Sequence, residues 1–317
     1  MNSATGGERL PEAFGKALVE LGERDPRLAV FEAGGAGAAR TAKFGEVFPE
    51  RFFDVGAMSA TMVEMATGAA LGGRTVFASA PAPFAAGAAY TALRESVCYR
   101  RANVKIVAVL DDGPVQADRA APPMIEDIGL MRALPRMTVV VPADAPTARA
   151  ATFALAERPG PAYLRLSGAP LPTVTDGSFA VGRATELRAG GDLTIVAVGA
   201  LVARALALAD ELARVGISAR VLDFASVKPF DEPALLRAAR DTGAILVLEA
   251  HTVLTGVGAL VASTTAENYP VPVRRAGVPD VWPGPGSTAV PLDRYGMSTD
   301  GLRDEAWELL KSRGKVT

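Results

Sequence analysis

Short apolar runs bounded by turn residues alternate with longer helical patterns along the 317-residue chain, and few architectures accept that alternation. Strand–helix–strand repetition gives parallel sheets flanked by helices, so the expected class is α/β. In the first half the pattern predicts strands over Leu28–Phe31, Thr75–Ala78, Val104–Leu110, Thr138–Val141 and Ala162–Leu166. Helices are predicted over Pro11–Glu23, Ala60–Leu71, Ala85–Tyr99, Ile125–Ala133 and Ala145–Glu157, with Asp144 as an N-cap acceptor for the last. From Gly168 to Asp192 the composition turns to Pro, Gly, Thr and Asp, which reads as a linker with room for one short strand pair. A second run follows, with strands over Leu193–Val198, Ser218–Leu222, Ala244–Leu248 and Val271–Arg274. Its helices are predicted over Leu201–Val215, Glu232–Arg240, Gly258–Asn268 and Thr299–Arg313, with Gly216 as the residue that ends the first. The expected organisation is a first domain over 1–168, a linker over 169–191 and a second domain over 192–317.

Composition removes several function classes. The 33 basic and 35 acidic residues are interspersed, so no basic stripe offers a nucleic acid its footprint. Cys98 is the one cysteine, which excludes an internal disulfide and fits a reducing compartment. No apolar run reaches the ~18–20 residues of a membrane span, and the first eight residues are too polar for a signal peptide. A cytoplasmic location is expected. The apolar fraction of 49%, much of it alanine, with mean hydropathy +0.21, suggests broad close-packed interfaces and an oligomer.

Seven blocks carry a resemblance. Arg51–Gly73 reads RFFDVGAMSATMVEMATGAALGG, Asn103–Gly113 reads NVKIVAVLDDG, Ile125–Asp144 reads IEDIGLMRALPRMTVVVPAD and Pro161–Ser167 reads PAYLRLS. Further on, Gly216–Asp231 reads GISARVLDFASVKPFD, Thr242–His251 reads TGAILVLEAH and Asp293–Leu302 reads DRYGMSTDGL. In this order they resemble the C-terminal half of transketolases: the pyrimidine-binding domain of a thiamine-diphosphate enzyme, then the transketolase C-terminal domain. The β subunits of 2-oxoacid dehydrogenases share both domains but normally carry a G-x-G-x-x-HSQ loop and a hiPGlkV turn; this chain reads MRALPRMTV over Met131–Val139, which fits transketolases better. The resemblance implies the β-type subunit of a two-subunit transketolase-like transferase that moves a two-carbon ketol unit. No G-D-G-x(n)-N segment is found in the chain. The implied partner is therefore an N-terminal-half subunit that grips the diphosphate and Mg2+, in an α2β2 assembly. A non-catalytic partner subunit and a 2-oxoacid dehydrogenase β subunit are the alternatives.

The resemblance also fixes which residues to watch. The block around Arg51–Gly73 normally carries a glutamate that hydrogen-bonds the cofactor's pyrimidine nitrogen, and Ser59 stands in its place, preceded by Met58. Proton-transfer help of that kind is worth about 10²–10⁴-fold, and a serine hydroxyl can bond the nitrogen without exchanging a proton near neutral pH. Two acids are candidate substitutes: Glu32, at the end of the first strand, and Glu64, five residues past Ser59 and turned away from it on a helix. Phe84 matches the aromatic that stacks on the pyrimidine, while Pro81 and Ala88 replace an aromatic and an arginine of the same motif. Arg94 matches a further family arginine, and Gly34 replaces an aspartate. In the loop Asp111–Pro123, Asp118 is the polar residue kept for the cofactor and Pro122 falls where a histidine is expected. Gly168 takes the place of an arginine that binds sugar phosphates. His251, the one histidine, is read as either an acid–base group or a structural hydrogen-bonding residue. Glu126 and Asp127 are read as charge compensation at a helix start. The turn Thr255–Gly258 is read as tight packing, with an anion at the helix start as the other option.

Overall fold

A computed structural model describes residues 7–34, 39–110, 123–282 and 292–312. Two sheets organise it. The first is built from β1 (Leu28–Glu32), β2 (Phe52–Asp54), β3 (Thr75–Pro81), β4 (Val104–Leu110), β5 (Thr138–Val140), β6 (Ala162–Ser167) and β10 (Ser226–Lys228), in the order β10-β5-β6-β4-β3-β1-β2. The second holds β7 (Thr185–Arg188), β8 (Leu193–Ala197), β9 (Ala219–Asp223), β11 (Ile245–Thr252) and β12 (Val273–Val278), in the order β12-β11-β8-β9-β7. Pairing is parallel throughout, except that β10 meets β5 and β7 meets β9 antiparallel. The expected α/β class with mainly parallel sheets is thus what the chain forms. The three-residue strands β2 and β10 are too short to show a period in the sequence. β10 also crosses over: it belongs to the second half of the chain but closes the first sheet.

Each face of the first sheet has its own cover. Leu28, Val30 and Phe77 point into one cluster with Phe14 and Leu18 of α1 (Leu10–Arg24) and Ala151 and Leu155 of α6 (Ala145–Glu157). Ala29, Phe31, Ala33, Ala78 and Ala80 point the other way, against Met62, Val63 and Ala66 of α3 (Ser59–Leu71). Alternate residues of a strand lie on opposite faces, so the two clusters follow from the sequence parity. The α3 face is lined largely by alanine, and small side chains let the helices approach closely. Asp144 caps α6 as expected, accepting the Thr147 N–H at 3.0 Å. The predicted single helix over Ala85–Tyr99 is instead two wide π turns, Pro83–Ala88 and Leu93–Cys98, around α4 (Tyr90–Ala92). A short helix α2 (Ala42–Val47), absent from the sequence reading, packs on α1. The second sheet is covered by α7 (Leu201–Arg214), α8 (Glu232–Thr242), α9 (Val257–Asn268) and α10 (Thr299–Lys311).

The two halves meet around α5 (Asp127–Ala133), and there polar groups do the joining. Asp127 is fully buried; its Oδ2 accepts Arg165 Nε at 2.8 Å and the Tyr163 hydroxyl at 2.7 Å. Arg165 in turn donates to the Ala250 carbonyl of β11 at 3.0 Å. Asp127 is therefore the anchor of a buried ion pair as well as the first residue of α5, which the sequence reading reduced to helix-end compensation. Arg132 donates to the carbonyls of Thr255 and Gly256 at 2.5 and 2.7 Å. The Thr252 N–H donates to the Ile125 carbonyl at 2.7 Å.

His251 belongs to this junction. Its Nε2 accepts the Gly129 N–H at 3.2 Å and its Nδ1 lies 2.9 Å from the Thr252 carbonyl, so the proton sits on Nδ1. Burial holds the ring neutral, with a pKa lowered to about 4. Behind it, the Glu249 carboxylate accepts the N–H groups of Val257 and Gly258 at 2.6 and 2.9 Å, filling the start of α9 with the chain's own anion. A Cβ on Gly256 would stand 1.9 Å from that carboxylate, which explains the glycine in the Thr255–Gly258 turn.

Two outcomes are expected. A Cβ on Gly129 would lie 2.2 Å from Thr255 Oγ1. Gly129→Ala should therefore cost about 1–3 kcal/mol by overpacking the junction. Gly191→Ala, where nothing lies within 4 Å, should leave the denaturation midpoint nearly unchanged. The folded pKa of His251 lies below its unfolded value, so its neutral form contributes stability above about pH 6.5 that is lost as pH falls towards 4. Between those limits wild type should lose up to about 3 kcal/mol relative to His251→Gln in urea unfolding, because only wild type takes up that proton on unfolding. An unchanged gap would remove the histidine from the acid sensitivity.

Candidate active site

Because the central strands run parallel, β2, β1, β3, β4 and β6 all end on one edge, where parallel sheets present their ligand crevice. From one side to the other, that edge carries Asp54, Glu32, Pro81, Leu110 and Ser167. The turn from β2 into α3 is fixed by Gly56, whose φ of +66° suits glycine, and whose N–H donates to Asp54 Oδ1 at 2.9 Å. Gly34, with φ +93°, ties the end of β1 to this turn by donating to the Gly56 carbonyl at 2.8 Å. These bonds deliver Ser59 to the edge as the first residue of α3.

Ser59 is 6% exposed, and its hydroxyl has no hydrogen-bond partner among the described residues. Met58 before it is 57% exposed. α3 packs against the Pro83–Ala88 turn, which carries Phe84, 45% exposed. Half-exposed Phe84 and exposed Met58, on the elements that flank the unengaged Ser59 hydroxyl, give this edge an apolar shelf with one polar contact point.

The structure does not bring Glu32 to Ser59. Glu32 has the parity of Leu28 and Val30, so its side chain lies on the α1 face of the sheet, opposite α3. There its Oε2 accepts Thr41 Oγ1 at 2.9 Å and the Ser79 hydroxyl from the neighbouring strand, while Oε1 has no partner. Burial is the main reason its pKa rises to about 7, with the Ser79 and Thr41 bonds opposing. Glu64 lies on the exposed side of α3, held by Ser96 Oγ at 2.8 Å. His251 has both nitrogens engaged within the junction. Asp118 lies outside the described residues.

Two features escaped the sequence reading. Arg165 interrupts an apolar strand, and a charge in a strand buried on both faces requires a buried partner; that signal pointed to the Asp127 pair. Lys105 in β4 gave the same signal and is fully buried, its Nζ donating to Asn103 Oδ1 and to the Arg158 and Gly160 carbonyls at 2.6–2.7 Å. The second feature is a cavity of about 380 Å³ at the β4–β6 end of the edge, closed from the other side by α7. It is made by the packing of two domains, and no local motif announces it.

Known proteins agree with this geometry. Residues 9–172 match the family model described as "Transketolase, pyrimidine binding domain", and residues 182–302 match "Transketolase, C-terminal domain". A 6-deoxy-6-sulfo-D-fructose transketolase subunit of Clostridium sp. is 35% identical over 96% of this chain and 95% of its own length. A putative transketolase C-terminal section of Methanocaldococcus jannaschii is 34% identical over 95% of this chain and 96% of its own. A solved chain described as a split gene transketolase, inactive beta4 tetramer, is 40% identical, with a TM-score of 0.87 over 96% of this chain and 99% of that one. With two family domains matched in order across the described fold, this chain belongs to the transketolase family.

Proposed function

We propose that this chain is the β-type subunit of a two-subunit, thiamine-diphosphate-dependent transketolase that moves a two-carbon ketol unit between carbonyl compounds. The observation that carries the reading is the shelf of Met58, Ser59 and Phe84 at the strand ends of a transketolase pyrimidine-binding domain. Thiamine diphosphate, when bound, supplies an acidic thiazolium carbon and its own aminopyrimidine base. Phe84, Met58 and Ser59 would hold its pyrimidine, Phe84 and Met58 by apolar contact and Ser59 by a hydrogen bond. Ser59 orients the ring but takes no proton from it. Glu32 braces the end of β1 through Ser79 and Thr41, and His251 pins the domain junction; neither is proposed to touch the reacting atoms. Asp118 is proposed to reach the cofactor from its loop.

The companion is proposed to be an N-terminal-half subunit that holds Mg2+ and the diphosphate, in an α2β2 assembly. Relatives described as transketolase subunits, and the related β4 tetramer described as inactive, support a chain that works only when paired. The domain limits of 1–168 and 192–317 with a 169–191 linker, and a cytoplasmic location, belong to the same proposal; among the described residues no helix is long and apolar enough to cross a membrane.

Calorimetry tests the cofactor site. The chain with its companion should bind thiamine diphosphate, and Phe84→Ala should weaken binding by about tenfold through loss of stacking worth ~1 kcal/mol or more. No affinity for the coenzyme in the assembled pair would sink the reading. In the same pair Ser59→Glu should raise turnover by about 10²-fold or more, since it restores a proton-exchanging group at the ring nitrogen. A fall in turnover would mean that the serine serves a different mechanism.

A further inference from the structure

The cavity at the β4–β6 end of the crevice lies between Leu110, Met124, Ala169 and Leu171 on one side and Ala203 and Leu292 on the other. Met124 lines it, and a Cβ on Gly87, one turn past Phe84, would lie 3.9 Å from Met124 Cε. Gly168 sits at the same edge, its N–H bonded to the Leu110 carbonyl at 3.0 Å. Gly168, at the position where the family resemblance implies an arginine, therefore presents no side chain beside an apolar hollow.

Charge is decisive here. Two arginines reach the wall, and each already holds a carboxylate: Arg165 with Asp127 at 2.8 Å, and Arg204 with Asp293 at 2.5 Å. Among the described residues, a phosphate entering would give up its hydration and meet only cations already paired with carboxylates. An uncharged chain meets leucine, methionine and alanine, and the volume of about 380 Å³ is within the usual range for small-molecule sites at domain interfaces.

We infer that this interdomain cavity binds the apolar, uncharged tail of the carbonyl substrate, an aliphatic or aromatic chain. The inference rests on the transketolase reading for the word substrate, while the binding itself does not. The cavity thereby acts as the specificity determinant at the far end of the crevice from Ser59.

Straight-chain alcohols, which cannot react with lysines, test it by saturation-transfer NMR on the full chain. From propan-1-ol to hexan-1-ol the affinity should climb by about fourfold per methylene. Glycerol 3-phosphate should give no competing signal. Ala203→Leu, which puts a good helix former and extra volume into the cavity from α7, should weaken hexan-1-ol by about tenfold. Ala169→Leu fills the cavity from the other wall and covers the case in which the first variant misfolds. Gly168→Arg should bring in glycerol 3-phosphate and reduce the alcohol signal. Affinity that does not depend on chain length, hexan-1-ol binding untouched by both leucine variants, or glycerol 3-phosphate binding wild type as well as hexan-1-ol would overturn the inference. In the assembled pair, KM should fall along propanal to hexanal for wild type and not for Ala203→Leu; equal KM values would overturn the assignment to substrate. Thiamine diphosphate calorimetry run alongside separates the cases, since loss of coenzyme binding with alcohol binding intact counts against the transketolase reading alone.

Discussion

A single buried ion pair, Asp127 with Arg165, organises the meeting of the two domains. Both partners are withdrawn from water; the Tyr163 hydroxyl supports Asp127 Oδ2 and the Ala250 carbonyl supports Arg165, while Asp127 Oδ1 has no partner among the described residues. Removing one partner would leave an uncompensated charge in the core. The junction is therefore held in one arrangement, with α5 in position against β11. The cavity at the β4–β6 end of the edge is built on that arrangement, because its walls from α7 and from the 3-10 turn Leu292–Tyr295 come from the second half of the chain.

Hydrogen bonds in this region are mostly between a side chain on one half and backbone on the other: Gly129 with His251, Arg132 with Thr255 and Gly256, Lys228 with Arg132 and Leu134. Such bonds add only modest net stability each, but leaving any of them unmade in a dry interface costs more than making it gains. That asymmetry gives the junction its specificity. It also explains why the one histidine is neutral and structural: with both nitrogens committed and the ring fully buried, the charged form is disfavoured.

Around Ser59 the situation is reversed. The hydroxyl has no partner among the described residues, and Met58 and Phe84 keep apolar surface in water. Exposed apolar surface beside an unengaged hydroxyl leaves these groups ready for something that arrives from outside the chain. The acid substitutes suggested by spacing do not fill the gap. Glu32 has the wrong strand parity, and Glu64 turns to the outer face of α3, where Ser96 holds it.

The sequence by itself determined the α/β class, most element boundaries, the Asp144 cap and the family blocks, because each is a local property: strand parity, helix period, turn chemistry or a contiguous motif. It also identified Ser59 and Phe84 as the residues to examine, through their place in a block. β2 and β10 were hidden because three residues carry no period, and the π turns after β3 because their bonds differ from a helix without a compositional sign. Only the tertiary structure decided which face of the sheet Glu32 joins, that Asp127 answers Arg165 from 38 residues away, and that the space beside Gly168 is apolar. Those facts depend on chain segments distant in sequence closing on one another, and long-range packing leaves no trace in any short window.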